Sequence, residues 1–167
     1  HNILSPEQVK DFNEALQSFS PTPLLIGTDQ EGGQVNRLKE SYGFLPSKSW
    51  AELGQIDDIE ETHSHSKNMA STLFDHGFNL NFAPVLDLSV NPDSFIAKKE
   101  RCFSSDPKNI GIHSEILMKT HLDENVVPVC KHFPGQGSAG GDTHEGIADV
   151  TETWSETELR PYQTLID

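Results

Sequence analysis

Leu24-Leu25-Ile26-Gly27-Thr28-Asp29-Gln30-Glu31-Gly32-Gly33 opens the architecture. Its apolar run, 24–26, reads as a short strand buried on both faces, and it empties into a glycine-containing loop bearing two carboxylates. Upstream, Ser5-Pro6-Glu7-Gln8 is a helix start, with a Ser cap and Pro at the first helical position. Val9, Phe12, Leu16 and Phe19 then recur at helical spacing and predict one buried face. Downstream, residues 58–76 are helix-compatible with Gly77 as the stop, and Phe78-Asn79-Leu80-Asn81-Phe82 alternates like a strand. Asp106-Pro107 caps a helix carrying Ile110, Ile112, Leu117, Met118 and Leu122. Val126-Val127-Pro128-Val129-Cys130 is a third strand. Ser155-Glu156-Thr157-Glu158 reads as a capping box that opens a last helix. Strands alternating with helices predict an α/β fold with a parallel sheet and right-handed crossovers. Three strands are few for that fold, so the expectation is a part of a larger domain.

The 167 residues carry 12 basic and 26 acidic side chains, a formal charge of −14. That charge repels phosphate backbones and anionic lipid, so neither nucleic acid nor a membrane surface is the expected partner. No apolar run approaches the roughly 18 residues of a membrane span. Two cysteines, Cys102 and Cys130, are too few for a disulfide scaffold and read as free thiols.

In parallel α/β folds the chemistry gathers at the C-terminal ends of the strands. Those ends carry Asp29, Glu31 and Arg37, then Asp87 and Arg101, then Lys131, His132, Asp142 and His144. Such polar convergence suits a small polar ligand such as a sugar. Asp142-Thr143-His144 places a carboxylate two residues from an imidazole; such a pair fixes the ring tautomer and supports proton transfer near neutral pH. A solvated loop gives the same spacing. Gly135-Gln136-Gly137-Ser138-Ala139-Gly140 matches G-x-G-x-x-G, but no helix opens behind it, which speaks against a dinucleotide site. His132, Asp142, His144 and Glu145 fit no zinc spacing, so no metal is expected. His63, His65, His113 and His121 read as helix-surface residues, and Asp57, Asp58, Glu60 and Glu61 as an exposed acidic helix start.

Together these blocks resemble glycoside hydrolase family 3, in its NagZ-like β-N-acetylglucosaminidase branch. The resemblance rests on Ile26-Gly27-Thr28-Asp29-Gln30-Glu31-Gly32-Gly33-Gln34-Val35-Asn36-Arg37, Asn81-Phe82-Ala83-Pro84-Val85-Leu86-Asp87 and Arg101-Cys102-Phe103. It is strongest in Lys131-His132-Phe133-Pro134-Gly135-Gln136-Gly137 followed by Asp142-Thr143-His144. It implies a TIM-like (β/α)8 barrel of roughly 250 residues. Residues 1–167 would form one partial catalytic domain, without the first strand and the C-terminal half.

The resemblance further implies a retaining mechanism through a covalent glycosyl-enzyme on an Asp outside these residues. His144 would be the acid/base and Asp142 its orienting partner. Asp29, Arg37, Arg101, Lys131 and His132 would hold N-acetylglucosamine hydroxyls. No cofactor is implied, and the partner is a carbohydrate substrate from peptidoglycan or chitin. The chain alone is expected to be inactive and poorly soluble. The alternatives are a phosphorylase or β-glucosidase of the same family, and a sugar-binding protein without turnover. Gln136 stands where the family usually has His, Ser138-Ala139 where Asp-Thr is common, and Thr143 where Ser is usual.

Overall fold

The computed structural model describes residues 2–142 and 146–166, and helices alternate with parallel strands along it. Ser5 accepts the Gln8 amide to start α1 (Pro6–Ser18). β1 (Gly27–Thr28), β2 (Leu80–Asn81) and β3 (Val127–Pro128) pair in parallel in that order, with Gly27 opposite Leu80 and Leu80 opposite Val127. Between β1 and β2 lie α2 (Trp50–Ile56) and α3 (Ile59–Asp75). Between β2 and β3 lie α4 (Phe95–Lys98) and α5 (Pro107–Asp123). A 3-10 turn, Glu156–Leu159, leads into α6 (Arg160–Ile166). Asp58 and Asp106 cap α3 and α5 by accepting the Glu61 and Lys108 amides. Gly77, at φ +79°, supplies the left-handed turn that ends the α3 segment. Both cysteines are free.

The apolar runs and the ladder do not coincide. β1 pairs at Gly27–Thr28, one step past Leu24-Leu25-Ile26, and Ile26 borders it, its carbonyl accepting the Asn79 and Leu80 amides and its amide donating to Asn79 Oδ1. Leu25 is 73% exposed, so this run is not buried on both faces; among the described residues β1 lies at the edge of the sheet and pairs with β2 alone. The α1 face is likewise only partly covered. Val9 is buried, while Phe12 and Phe19 are exposed, because nothing among the described residues packs over that side. Ser49, with Glu52, forms a capping box that starts α2, a helix absent from the sequence-based expectation. Conversely, Ser155 makes no capping bond; Glu158 points elsewhere, as described below. The main core joins Trp50 and Leu53 of α2, Val85, Leu86 and Leu88 beyond β2, Phe103, and Ile110 and Leu117 of α5.

α5 also buries histidines that the sequence places on its surface. His113 stacks on Phe103 with ring centroids 4.3 Å apart, and its nitrogens meet Thr62 Oγ1 and Asp57 Oδ1. His121 is fully buried: Nδ1 donates to the Leu117 carbonyl and Nε2 accepts from Asn81 Nδ2. An imidazole is short enough to reach one partner at each end, so two hydrogen bonds offset its burial. His65 is half-buried, and only His63 is exposed as predicted.

Burial pulls the His121 imidazole down to about 4, against the opposing Leu117 bond and with a small contribution from His65. Burial also lowers His113, despite Asp57. A histidine neutral in the fold but near 6.5 when unfolded stabilises fully above pH 6.5 and loses that contribution as pH falls towards 4. For His121 the full loss is about 3 kcal/mol. Thermal melts of the protein are expected to fall by several degrees between pH 6.5 and 5, above most carboxylate titrations. A His121→Gln variant should show a shallower fall; a flat wild-type profile would contradict the assignment.

Candidate active site

The sheet aims three chain segments at one place. Beyond β2 and β3 the pairing continues: Leu86 N donates to the Lys131 carbonyl at 2.6 Å, Lys131 N to that of Pro84 at 3.1 Å, and Val85 bridges Lys131 in parallel. This register sets Asp87 beside His132. At β1, the fully buried Asn81 fixes the following loop, since its Oδ1 accepts Gln30 N and its Nδ2 donates to Gln30 O, both at 3.0 Å. The Gln30 side chain then accepts the Arg37 and Leu38 amides and donates to Asn36 Oδ1. One buried path, His121 to Asn81 to Gln30, thus holds the backbone on which Asp29 and Arg37 ride.

A chain of alternating charges results. Arg37 lies 3.8 Å from Asp29, and Lys131 Nζ is 2.6 Å from both Asp29 Oδ1 and Glu31 Oε1. Arg101 grips Glu31 with two bonds, Nε to Oε2 at 2.8 Å and Nη2 to Oε1 at 2.9 Å. Arg101 Nη2 also reaches His132 Nε2 at 3.1 Å, and His132 Nδ1 lies 2.6 Å from Asp87 Oδ2. A guanidinium only donates, so His132 Nε2 accepts, and the ring is neutral with its proton on Nδ1, donated to Asp87. Three cations (Arg37, Lys131, Arg101) therefore face three carboxylates (Asp29, Glu31, Asp87). Burial pushes the Asp29 carboxyl up, but the Lys131 hydrogen bond and charge, with Arg37 and Arg101 beyond, hold it below the usual carboxylate range. Asp29 and Arg37 are the open members, with side chains 43% and 39% exposed against 10% for Arg101.

All five residues expected to bind the ligand (Asp29, Arg37, Arg101, Lys131 and His132) fall within this network. Two further members, Glu31 and Asp87, belong to the strand-end clusters that the sequence shows but carry no binding role in the sequence-based expectation; the structure pairs Glu31 with Arg101 and Lys131, and Asp87 with His132. Asp142 is half-buried in the loop after β3, and its predicted partner His144 lies outside the described residues. The G-x-G-x-x-G stretch opens no helix. Among the described residues no three His, Cys, Asp or Glu could together hold a metal ion, and no helix is long and apolar enough to cross a membrane.

The family model described as "Glycosyl hydrolase family 3 N terminal domain" matches residues 2–167. The chain belongs to glycosyl hydrolase family 3. Among curated relatives, Beta-hexosaminidase LpqI of Mycobacterium tuberculosis (strain ATCC 25618 / H37Rv) is 31% identical over 155 residues, which cover 92% of this chain and 39% of LpqI. A Beta-hexosaminidase of Xylella fastidiosa (strain M12) is 32% identical, over 98% of this chain and 47% of its own. The chain therefore spans less than half the length of these relatives. Among solved structures, a family 3 beta-N-acetylglucosaminidase from Paenibacillus sp. str. FPU-7 superposes with a TM-score of 0.89 at 31% identity, over 99% of this chain and 32% of that one. Native NagZ from Neisseria gonorrhoeae superposes with a TM-score of 0.86 at 27% identity, over 96% and 48%. The family 3 sheet seen here is thus part of a TIM-barrel-like α/β fold.

Proposed function

We propose that the chain is part of a retaining β-N-acetylhexosaminidase that removes terminal β-N-acetylglucosamine from peptidoglycan- or chitin-derived glycans. The observation that carries this reading is the charge-balanced network at three strand ends, Arg37–Asp29–Lys131–Glu31–Arg101–His132–Asp87, in a family 3 chain. Its relatives are named beta-hexosaminidases, and one NagZ structure holds N-trifluoroacetyl-D-glucosamine. Asp29 and Arg37, the open members, accept from and donate to ring hydroxyls; Lys131, Arg101 and His132 line the floor with their remaining exposed edges. A network in which each cation meets a carboxylate and Asp87 is hydrogen-bonded to His132 and Gln136 is rigid before the ligand arrives, so little ordering is left to do on binding.

In this scheme an Asp outside these residues attacks the anomeric carbon while His144 gives its proton to the leaving oxygen, and the glycosidic bond breaks. Neutral His144 then takes a proton from water, which attacks the same carbon and frees the Asp. Asp142 orients the imidazole and stabilises its protonated form.

The test compares hydrolysis of an aryl β-N-acetylglucosaminide with that of the matching β-glucoside by the full-length protein. Selective cleavage of the acetamido sugar, falling about 10²-fold in His144→Ala, is expected. Preference for the glucoside, or activity indifferent to His144, would overturn the reading. Added phosphate should leave the product as free sugar; a sugar phosphate would mark a phosphorylase instead.

A further inference from the structure

Two buried carboxylates grip consecutive amides at the root of the loop after β3. Gln136 N donates to Asp87 Oδ1 at 2.8 Å, and Gly137 N donates to Glu158 Oε2 at 2.9 Å. Glu158 is 2% exposed and comes from the 3-10 turn, 21 residues further along the chain. The fit around it is close. A Cβ on Gly135 would lie 2.6 Å from the Glu158 Cβ, and one on Gly137 would lie 1.9 Å from the Leu88 carbonyl oxygen. Ser138 and Ala139 continue buried, and Ala139 N turns back to the Gln136 carbonyl at 3.2 Å. The chain surfaces at Gly140, two residues before Asp142.

A carboxylate buried this deeply costs stability unless it is paired or fully hydrogen-bonded. Glu158 forms no ion pair among the described residues, and its Oε1 has no partner there. It has also left the Ser155 amide that its capping-box position would serve. What it holds in return is the loop root.

We infer that Glu158 is a positioning residue for the acid/base loop: its grip on Gly137 fixes the point from which the chain runs to Asp142 and His144. The inference rests on the acid/base role proposed for His144. Displacing a proton donor by about 1 Å costs on the order of 10²-fold in rate, while the hydroxyl-binding network on the sheet is untouched.

The test uses two aryl β-N-acetylglucosaminides and the full-length protein. Dinitrophenolate leaves without a proton, whereas methoxyphenolate needs one. Glu158→Ala is expected to lose on the order of 10²-fold in kcat/KM with the methoxyphenyl substrate and less than about tenfold with the dinitrophenyl one, with KM within about threefold of wild type. Glu158→Gln retains an acceptor oxygen for Gly137 and should stay within about threefold for both. Should Glu158→Ala fail to fold, Glu158→Asp, one methylene shorter, takes its place. A loss equal for both leaving groups, or no loss, overturns the positioning role. His144→Ala, run in parallel, separates the two readings. A leaving-group split there but not at Glu158 overturns this inference alone, and no split in either overturns the acid/base assignment as well.

Discussion

Arg101→Ala is expected to lower the free energy of unfolding by about 3 kcal/mol and kcat/KM by about 10³-fold. Arg101 is 8% exposed and spends its guanidinium on Glu31, whose side chain is 3% exposed. Removing the cation leaves a buried carboxylate whose one remaining neighbour of opposite charge among the described residues is Lys131, at 2.6 Å. Lys131 would then turn towards Glu31 and away from Asp29, loosening the open, ligand-facing end of the network. Arg101→Lys should be nearly as damaging to activity, since an ammonium cannot make both the fork to Glu31 and the bond to His132. Combining Arg101→Met with Glu31→Gln removes both buried charges, and should recover much of the stability without the activity. Urea unfolding at constant m-value reads the first effect, and initial rates read the second. An Arg101→Ala protein as stable as wild type would show that the pair is far better solvated than its burial indicates.

What the sequence made legible follows from how each signal is encoded. Caps and stops are local, so Ser5, Asp58, Asp106 and Gly77 were readable from a few neighbours. Asp29, Arg37 and Lys131 are each legible as family text, but the bond that joins Asp29 to Lys131 spans 102 residues and no local pattern encodes it. Two kinds of feature were hidden. Periodicity ranks residues by polarity, so it set His113 and His121 on the surface, while their burial depends on Thr62, Asp57 and Asn81, 40 to 56 residues away. Likewise Ser155-Glu156-Thr157-Glu158 satisfies a local rule, but Gly137 competes for the same carboxylate from 21 residues away and wins. The exposed side of α1 is a third case. Its spacing encodes an apolar face, and coverage of Phe12 and Phe19 is a property of what packs against it, which spacing does not carry.

Asp87→Asn is the sharper probe, because it changes almost no volume and yet should cost on the order of 10²–10³-fold in kcat/KM and about 2 kcal/mol in stability. Asp87 is fully buried and receives a proton at each oxygen, from His132 Nδ1 at Oδ2 and from the Gln136 amide at Oδ1. A carboxylate accepts at both positions; an amide accepts at one and donates at the other. If the amide oxygen serves Gln136, its NH2 meets the His132 Nδ1 proton. The imidazole can escape by moving that proton to Nε2, but Nε2 then presents a proton to Arg101 Nη2, which can only donate. If the oxygen serves His132 instead, the Gln136 amide faces a donor and the loop root loosens next to Gly137. Either choice passes the conflict on, to the Arg101–Glu31 pair or to the loop that leads to Asp142. A double-mutant cycle distinguishes these routes. Coupling of about 1–2 kcal/mol between Asp87→Asn and Arg101→Met would mean the conflict travels through His132. Additive losses here, with coupling to Glu158→Ala instead, would mean it is absorbed at Gln136 and Gly137.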